Sequence, residues 1–279
     1  MEIRIGMQKG EKYENPYLNE VIFRIDFSNI NSLYGNDKDA SKDFHEKISK
    51  EFPNTIIKRN HEFNIGIDAD TGKPTQISSQ EGNFLWVFKN RKHDKSVELT
   101  SKSLILHYSK GAYTHFRYFL KDIILLIDAL KNYEPKDLKF LGLRYINQID
   151  GKTMQELQEC INPSYLNNAI NNLEENEEFI QSLDRLSIRK EKYILNFQYG
   201  LFNAAYPDPN FDKDFILDLD CTTNNIETID DVLSELKRMN KYIWSKFENA
   251  ITDMLRDEMH QEENLSLKCK NTTTSASCG

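Results

Sequence analysis

The chain has 279 residues, of which 39% are hydrophobic and 29% charged, and its formal net charge is −8 at pH 7. These values are typical of a globular protein with a buried core and exclude a largely disordered chain. Non-specific nucleic-acid binding takes most of its affinity from neutralised phosphates. An acidic chain with no dense Lys/Arg block therefore disfavours that class of partner.

The sequence predicts neither a membrane-spanning helix nor a secretory signal. The longest apolar run, residues 123–127, is far shorter than the roughly 20 residues that a membrane-spanning helix needs. Residues 1–4 do not show the basic-then-apolar pattern of a secretory signal. We therefore expect a cytoplasmic protein with no membrane partner.

The first half of the chain predicts a strand, a helix, several strands and a long helix. Residues 20–30, "EVIFRIDFSNI", alternate apolar and polar side chains as a half-buried strand does. Residues 37–53 place apolar residues at helical spacing and end at Pro53, which indicates an amphipathic helix. Residues 114–133 predict a long helix that ends before Pro135. Between the two helices we expect three extended segments, at residues 55–65, 83–90 and 96–109.

The second half repeats this order in outline. Residues 138–150, "LKFLGLRYINQID", predict a strand, and residues 153–183 predict polar helical pieces broken at Pro163. Two further strands are expected at residues 192–203 and 214–224.

A single long helix is predicted over residues 228–260, with Thr228 and Asp231 forming its N-terminal cap. Its apolar stripe consists of Val232, Leu236, Met239, Ile243, Phe247, Ile251 and Leu255.

This order of elements predicts the fold class and the division of the chain. Runs of strands separated by helices favour an α+β fold, in which a curved, mostly antiparallel sheet packs against two long helices. The repeated order suggests a duplicated half. We expect an N-terminal half at residues 1–135, a C-terminal half at 136–260 and a disordered tail at 261–279, which is rich in Ser, Thr and Asn.

The predicted strands place polar side chains on one face of the sheet. In residues 140–150 the alternation puts Arg144 on this mixed face and Asn147 on the apolar face, where it is expected to bond a loop backbone as a core amide. The polar face is either a solvated surface with cross-strand ion pairs or a cradle for a ligand or partner. Its candidate binding residues are Arg24, Asp26, Arg144, Gln148, Asn196, Gln198, Asp218 and Asp220.

Sequence motifs of catalysis are absent. There is no phosphate-binding glycine loop, zinc-protease motif or nucleophile elbow, so we assign no catalytic residue and no cofactor. The four cysteines, Cys160, Cys221, Cys269 and Cys278, lack the close pairing of a zinc site.

One short pattern leaves a metal site open. In "DLD", Asp218 and Asp220 project from the same face of a strand and could hold Mg²⁺ for phosphoryl or nucleotidyl transfer, with a third carboxylate such as Asp26.

Four stretches in order resemble a sporadically distributed, uncharacterised family of bacterial and archaeal proteins of about 250 residues. They are "NPYLNEVIFRIDF", "FLWVF", "LGLRYIN", and "FILDLD" followed by "DDVLSELKRMNKYIWSKFENAITDML". The family pattern reads N-P-x-x-E-V-x-F, then G-[LV]-R-Y-[IV]-N, then F-x-x-x-I-T, and the match spans residues 15–258. The resemblance implies no catalytic residues. The patchy occurrence of the family is similar to that of mobile-element or anti-phage defence genes.

These observations favour a non-enzymatic binding or adaptor protein that acts on a protein partner in phage defence. Two alternatives remain. One is the metal-dependent transferase centred on Asp218 and Asp220, and the other is a sensor of a small anion held by Arg24 or Arg144. The sequence leaves a homo-oligomer open.

Overall fold

Alternating apolar side chains build one large antiparallel sheet with helices on one of its faces. The computed structural model describes residues 13, 16–35, 37–67, 74–166, 180–208 and 213–260, and the side chains within these ranges except for 60–67 and 74–82. The strands are β1 (Leu18–Asp26), β2 (Asn54–Ile67), β3 (Pro74–Lys89), β4 (Lys95–Leu99), β5 (Ser103–Tyr108), β6 (Phe140–Ile149), β7 (Ser182–Lys190), β8 (Tyr193–Phe202) and β9 (Asp214–Thr223). The helices are α1 (Lys42–Ile48), α2 (Phe116–Leu130), α3 (Met154–Cys160), α4 (Val232–Ala250) and α5 (Asp253–His260).

On both sides of the central strand pair, the strands follow in reverse chain order towards the edge of the sheet. The order is β2-β3-β4-β5-β1-β6-β9-β8-β7, and every neighbouring pair is antiparallel. β1 and β6 form the central pair. Each is followed by a helix, and the chain then returns strand by strand to lie beside it before a longer helix begins. β2 is the one strand of the described sheet that has no counterpart in the second half.

The core lies between the sheet and the helices. Val21, Phe23 and Ile25 of β1 are fully buried, and so are Phe119 and Ile123 of α2. Burial of a side chain of this size contributes about 1.5–3 kcal/mol. The apolar faces of all five helices join the same cluster. The α+β class and the antiparallel sheet are confirmed, but the helical layer is not simply two long helices, because α1, α3 and α5 also contribute to it.

The last predicted helix is broken into two. All seven residues of its predicted apolar stripe are buried, but Ile251 is extended and forms a β-bridge with Ile161. The Thr252 amide donates to the Cys160 carbonyl at 3.0 Å, and its hydroxyl donates to the Glu159 carbonyl at 2.6 Å. The break therefore ties α4 and α5 to the end of α3, a long-range contact that helical spacing does not reveal.

Three local predictions also change. Thr228 and Asp231 bond each other, but α4 begins at Val232, and the Asp231 side chain makes no capping bond to the helix. Residues 96–109 form the hairpin β4–β5 instead of one extended segment. β7 was not predicted as a strand, because its sequence is largely polar and none of its residues is buried.

The predicted tail at 261–279, with Cys269 and Cys278, lies outside the described residues. Cys160 and Cys221 are both buried free thiols. None of the helices in the described ranges is long and apolar enough to cross a membrane.

Candidate functional site

The face of the sheet that points away from the helices, called the outer face below, carries the predicted polar residues. One row of cross-strand partners across it is His107, Ile22, Arg144, Asp220, Asn196 and Ser187. The alternation in each strand puts Arg24, Asp26, Gln148, Gln198 and Asp218 on the same face. The structure therefore places all eight candidate residues on one surface.

Arg144 binds Asp218 through two hydrogen bonds. Its Nε and one terminal nitrogen donate to the two carboxylate oxygens at 2.8 and 2.6 Å, and Asp218 is only 8% exposed. The bond to Asp218 raises the pKa of Arg144 above its usual value. Arg144 faces Asp220 directly across the strand pair, yet its side chain reaches diagonally and binds Asp218. Each carboxylate oxygen of Asp218 therefore accepts one hydrogen bond from Arg144.

Asp220 lies between Arg144 and Asn196 in the same row. Burial raises its pKa, the neighbouring Asp218 adds to this, and the attraction of Arg144 only partly offsets the two. Arg185 and the facing Asn196 also lower the pKa of Asp220, and the side-chain oxygen of Asn196 accepts from the Ser187 hydroxyl at 2.8 Å. Gln198 faces Asp218 from the next strand.

A second Arg–Asp pair lies one strand away. Arg24 donates twice to Asp26 at 2.8 Å, with its guanidinium 5.6 Å from the centre of the Phe140 ring. Gly142 faces Arg24 across the strands, and a Cβ there would approach the Phe140 ring to 2.9 Å. Glycine therefore gives the ring and the arginine room to lie on the sheet.

Gln148 is separated from these pairs. Its amide donates to Asp214 at 2.6 Å, near the end of β6. The structure thus brings Arg144, Asn196, Gln198, Asp218 and Asp220 together, places the Arg24–Asp26 pair beside them, and leaves Gln148 at the margin.

Two arginines of the outer face are engaged with aspartates. Arg144 and Arg24 each already hold a carboxylate, which leaves their guanidinium groups less available to a small anion. Within the described part of the chain, no three His, Cys, Asp or Glu side chains are grouped so that they could hold a metal ion.

A second candidate site lies on the opposite side of the same strand. Tyr145 and Asn147 of β6 face a cleft of about 70 Å³, which opens between α4 and the residues before α2. We call this the aromatic cleft. Its lining comprises Tyr13, Pro16, Leu18, Tyr113, Thr114, Phe116, Tyr145, Asn147, Leu219, Asn240, Ile243, Trp244, Phe247 and Met259.

Asn147 was predicted to be a core amide bonded to a loop. Asn147 is 6% exposed, and its amide donates at 3.2 Å to the carbonyl of Leu217 in strand β9 instead of to a loop. At this point β1 has a register shift between Leu18 and Glu20 opposite Asn147 and Ile146. Bulges of this kind are common beside binding sites. A polar residue within the apolar face of "LRYIN" is the one sequence signal at this position, and by itself it did not reveal a cleft.

Comparison with known proteins gives no assignment. No protein-family model matches the chain, and no curated protein matches it. The resemblance to the sporadic bacterial and archaeal family stays a prediction.

Proposed function

We propose that this chain is a non-enzymatic binding protein that engages a protein partner through its outer face. The observation that carries the proposal is a sheet surface on which no helix of the described chain packs and on which Arg24 and Arg144 already hold aspartates. Isoleucines lie between these pairs, at Ile22, Ile105 and Ile146, and each is partly exposed.

Such a surface suits burial against another protein. Specific protein interfaces combine apolar contacts with satisfied polar groups and contain few unpaired charges. An arginine that already holds an aspartate can be covered at a smaller cost than a lone cation, because the pair keeps its hydrogen bonds when water leaves. The Arg144–Asp218 and Arg24–Asp26 pairs meet this condition.

The biological setting that we propose is anti-phage defence or a mobile element. This part rests on the resemblance and on its patchy occurrence. Deletion of the gene in the native host should increase plaque formation by at least one phage. Complementation with the intact gene, but not with an outer-face variant such as Ile105→Glu, should restore resistance.

Site-specific photocrosslinking tests the surface directly. A photoreactive amino acid would replace Ile105 on the outer face, and a matched control would replace the exposed Lys121 on α2, in cells of the native host. We expect one protein to be crosslinked in high yield from position 105 and not from position 121. Equal capture at both positions, or none at 105, would contradict the proposal.

A further inference from the structure

The aromatic cleft has walls made of rings. Tyr13 stacks on Trp244 with ring centroids 5.3 Å apart, and Tyr113 meets Tyr145 edge-on at 5.8 Å. Phe247 packs beside Trp244 at 6.2 Å. Flat aromatic ligands gain specific contact energy from such walls, by stacking or by edge-to-face contact.

Two amides give the cleft a hydrogen-bonding pattern. The Leu217 carbonyl can only accept, so the amide nitrogen of Asn147 must face it and its Oδ1 must point elsewhere. Among the described residues, no buried side-chain nitrogen or oxygen lacks a partner. The structure gives the Asn147 Oδ1 no hydrogen bond within the described residues, and Asn147 lines the cleft, so we take this oxygen as the acceptor on the β6 side.

Asn240 supplies the complementary group. Its Oδ1 accepts from the Tyr145 hydroxyl at 2.7 Å, which leaves the two N–H groups of its amide to donate. The cleft therefore offers one fixed acceptor from β6 and one fixed donor from α4.

Size and charge limit the occupant further. None of the residues that line the cleft is charged, so a phosphate or an ammonium group would lose its water without compensation. A volume of about 70 Å³ is far below the roughly 300–1,000 Å³ of a drug-sized pocket. Exposed Pro16 and Thr114 mark the mouth, where the rest of a ligand can remain in water.

We propose that the aromatic cleft binds the base of a nucleoside. The ring enters between the aromatic walls, its edge pairs with Asn147 and Asn240, and the sugar stays at the mouth. Nucleobases combine flat faces with adjacent donors and acceptors, and asparagine amides pair with such edges. This site is on the other face of the sheet from the proposed partner surface and does not depend on it.

Calorimetric titration of the full chain with adenosine, guanosine, cytidine and uridine tests the proposal, with ribose as the ligand control. We expect at least one nucleoside to bind and ribose not to bind. Asn240→Ala should weaken that binding about tenfold, since one hydrogen bond is lost. Asn249→Ala is the matched control, because Asn249 lies exposed on the same helix outside the cleft.

Three outcomes would overturn the proposal. The first is no binding of any of the four nucleosides to a chain shown by circular dichroism to be folded. The second is an equal effect of Asn240→Ala and Asn249→Ala. The third is equal binding of N-acetyl-phenylalanine amide, which would make the cleft a socket for an aromatic side chain of a partner.

Discussion

Two Arg–Asp pairs on the outer face have the same bond pattern but different exposure. The side chain of Asp218 is 11% exposed and that of Asp26 is 23% exposed. Loss of the arginine leaves a carboxylate behind in both cases, but only Asp218 is largely cut off from water and lies beside a second carboxylate, Asp220. The two arginines therefore form a matched pair for mutation.

Arg144→Ala should lower the free energy of unfolding by about 1–2 kcal/mol, between the values for exposed and buried pairs, because Arg144 itself is partly exposed. Arg24→Ala should cost less than about 1 kcal/mol. Urea unfolding at pH 7 measures both. A larger loss for Arg24→Ala would show that burial of the carboxylate does not govern these pairs.

Asp220→Asn should stabilise the protein at neutral pH. The pKa of Asp220 is raised in the folded state, so the folded protein holds this proton more tightly than the unfolded chain does. The ionised carboxylate thus lowers stability above its folded pKa, and this penalty disappears as the pH falls to the unfolded value of about 3.9. Urea midpoints from pH 4 to 8 should show the gain at high pH and its decline towards pH 4. A gain that grows on acidification would contradict the assignment.

The sequence predicted which side chains share a face but not which of them bond. Alternation determines the face, since successive side chains of a strand point to opposite sides. Pairing depends on register and on reach. Arg144 faces Asp220 but holds Asp218, and no property of the sequence distinguishes the two aspartates.

The two longest helices each bury one carboxylate against the sheet. On α2, Asp122 accepts from the Tyr108 hydroxyl at 2.5 Å and from Lys95 at 3.1 Å. On α4, Glu235 accepts from the Tyr193 hydroxyl at 2.5 Å. It is also held by Lys192 at 2.9 Å and Arg238 at 2.8 Å, which gives it one partner more than Asp122 has. Each cluster fixes its helix to the strands.

Tyr108→Phe should therefore destabilise the protein more than Tyr193→Phe does. Removing the hydroxyl leaves Asp122 with one strong partner, at a cost of about 1–3 kcal/mol, whereas Glu235 retains two cations. Both substitutions keep the ring, so packing is matched. Urea unfolding of the two variants decides the order, and a greater loss in Tyr193→Phe would refute this explanation.

Apolar periodicity predicted the helices and strands whose pattern is continuous. It failed where tertiary contacts interrupt a helix or replace an apolar face. The apolar stripe from Val232 to Leu255 runs on in phase, yet the helix breaks because residues 251 and 252 bond the end of α3. β7 was missed because an edge strand needs no regular apolar face. The aromatic cleft could not be predicted, since its lining comes from residues between Tyr13 and Met259.

The central pair β1–β6 joins the two predicted halves into one sheet. Eight residue pairs of this ladder join strands on opposite sides of the proposed boundary at 135/136. The matching strand order on each side is what a duplication would leave, and duplication remains a prediction. With a shared sheet and one core cluster, we expect the halves to unfold together.

Thiol labelling during urea unfolding tests this expectation. Burial raises the pKa of Cys221 to about 12, so the folded protein has almost no reactive thiolate there. One protein would keep Cys221 as its single cysteine, and another would carry Val97→Cys instead, a fully buried position in β4. The same urea midpoint is expected for both labels. Separate midpoints would show that the halves unfold independently.

An open sheet leaves β7 with β8 on one side and no strand on the other in the described part of the chain. Backbone groups at such an edge can recruit the same edge of a second molecule and begin an aggregate. Arg185, Arg189 and Lys190 of β7 are all exposed. Two copies that met through β7 would bring these cations together, and their repulsion opposes growth into a fibril. If the chain forms a dimer, we expect its contact to lie away from this edge.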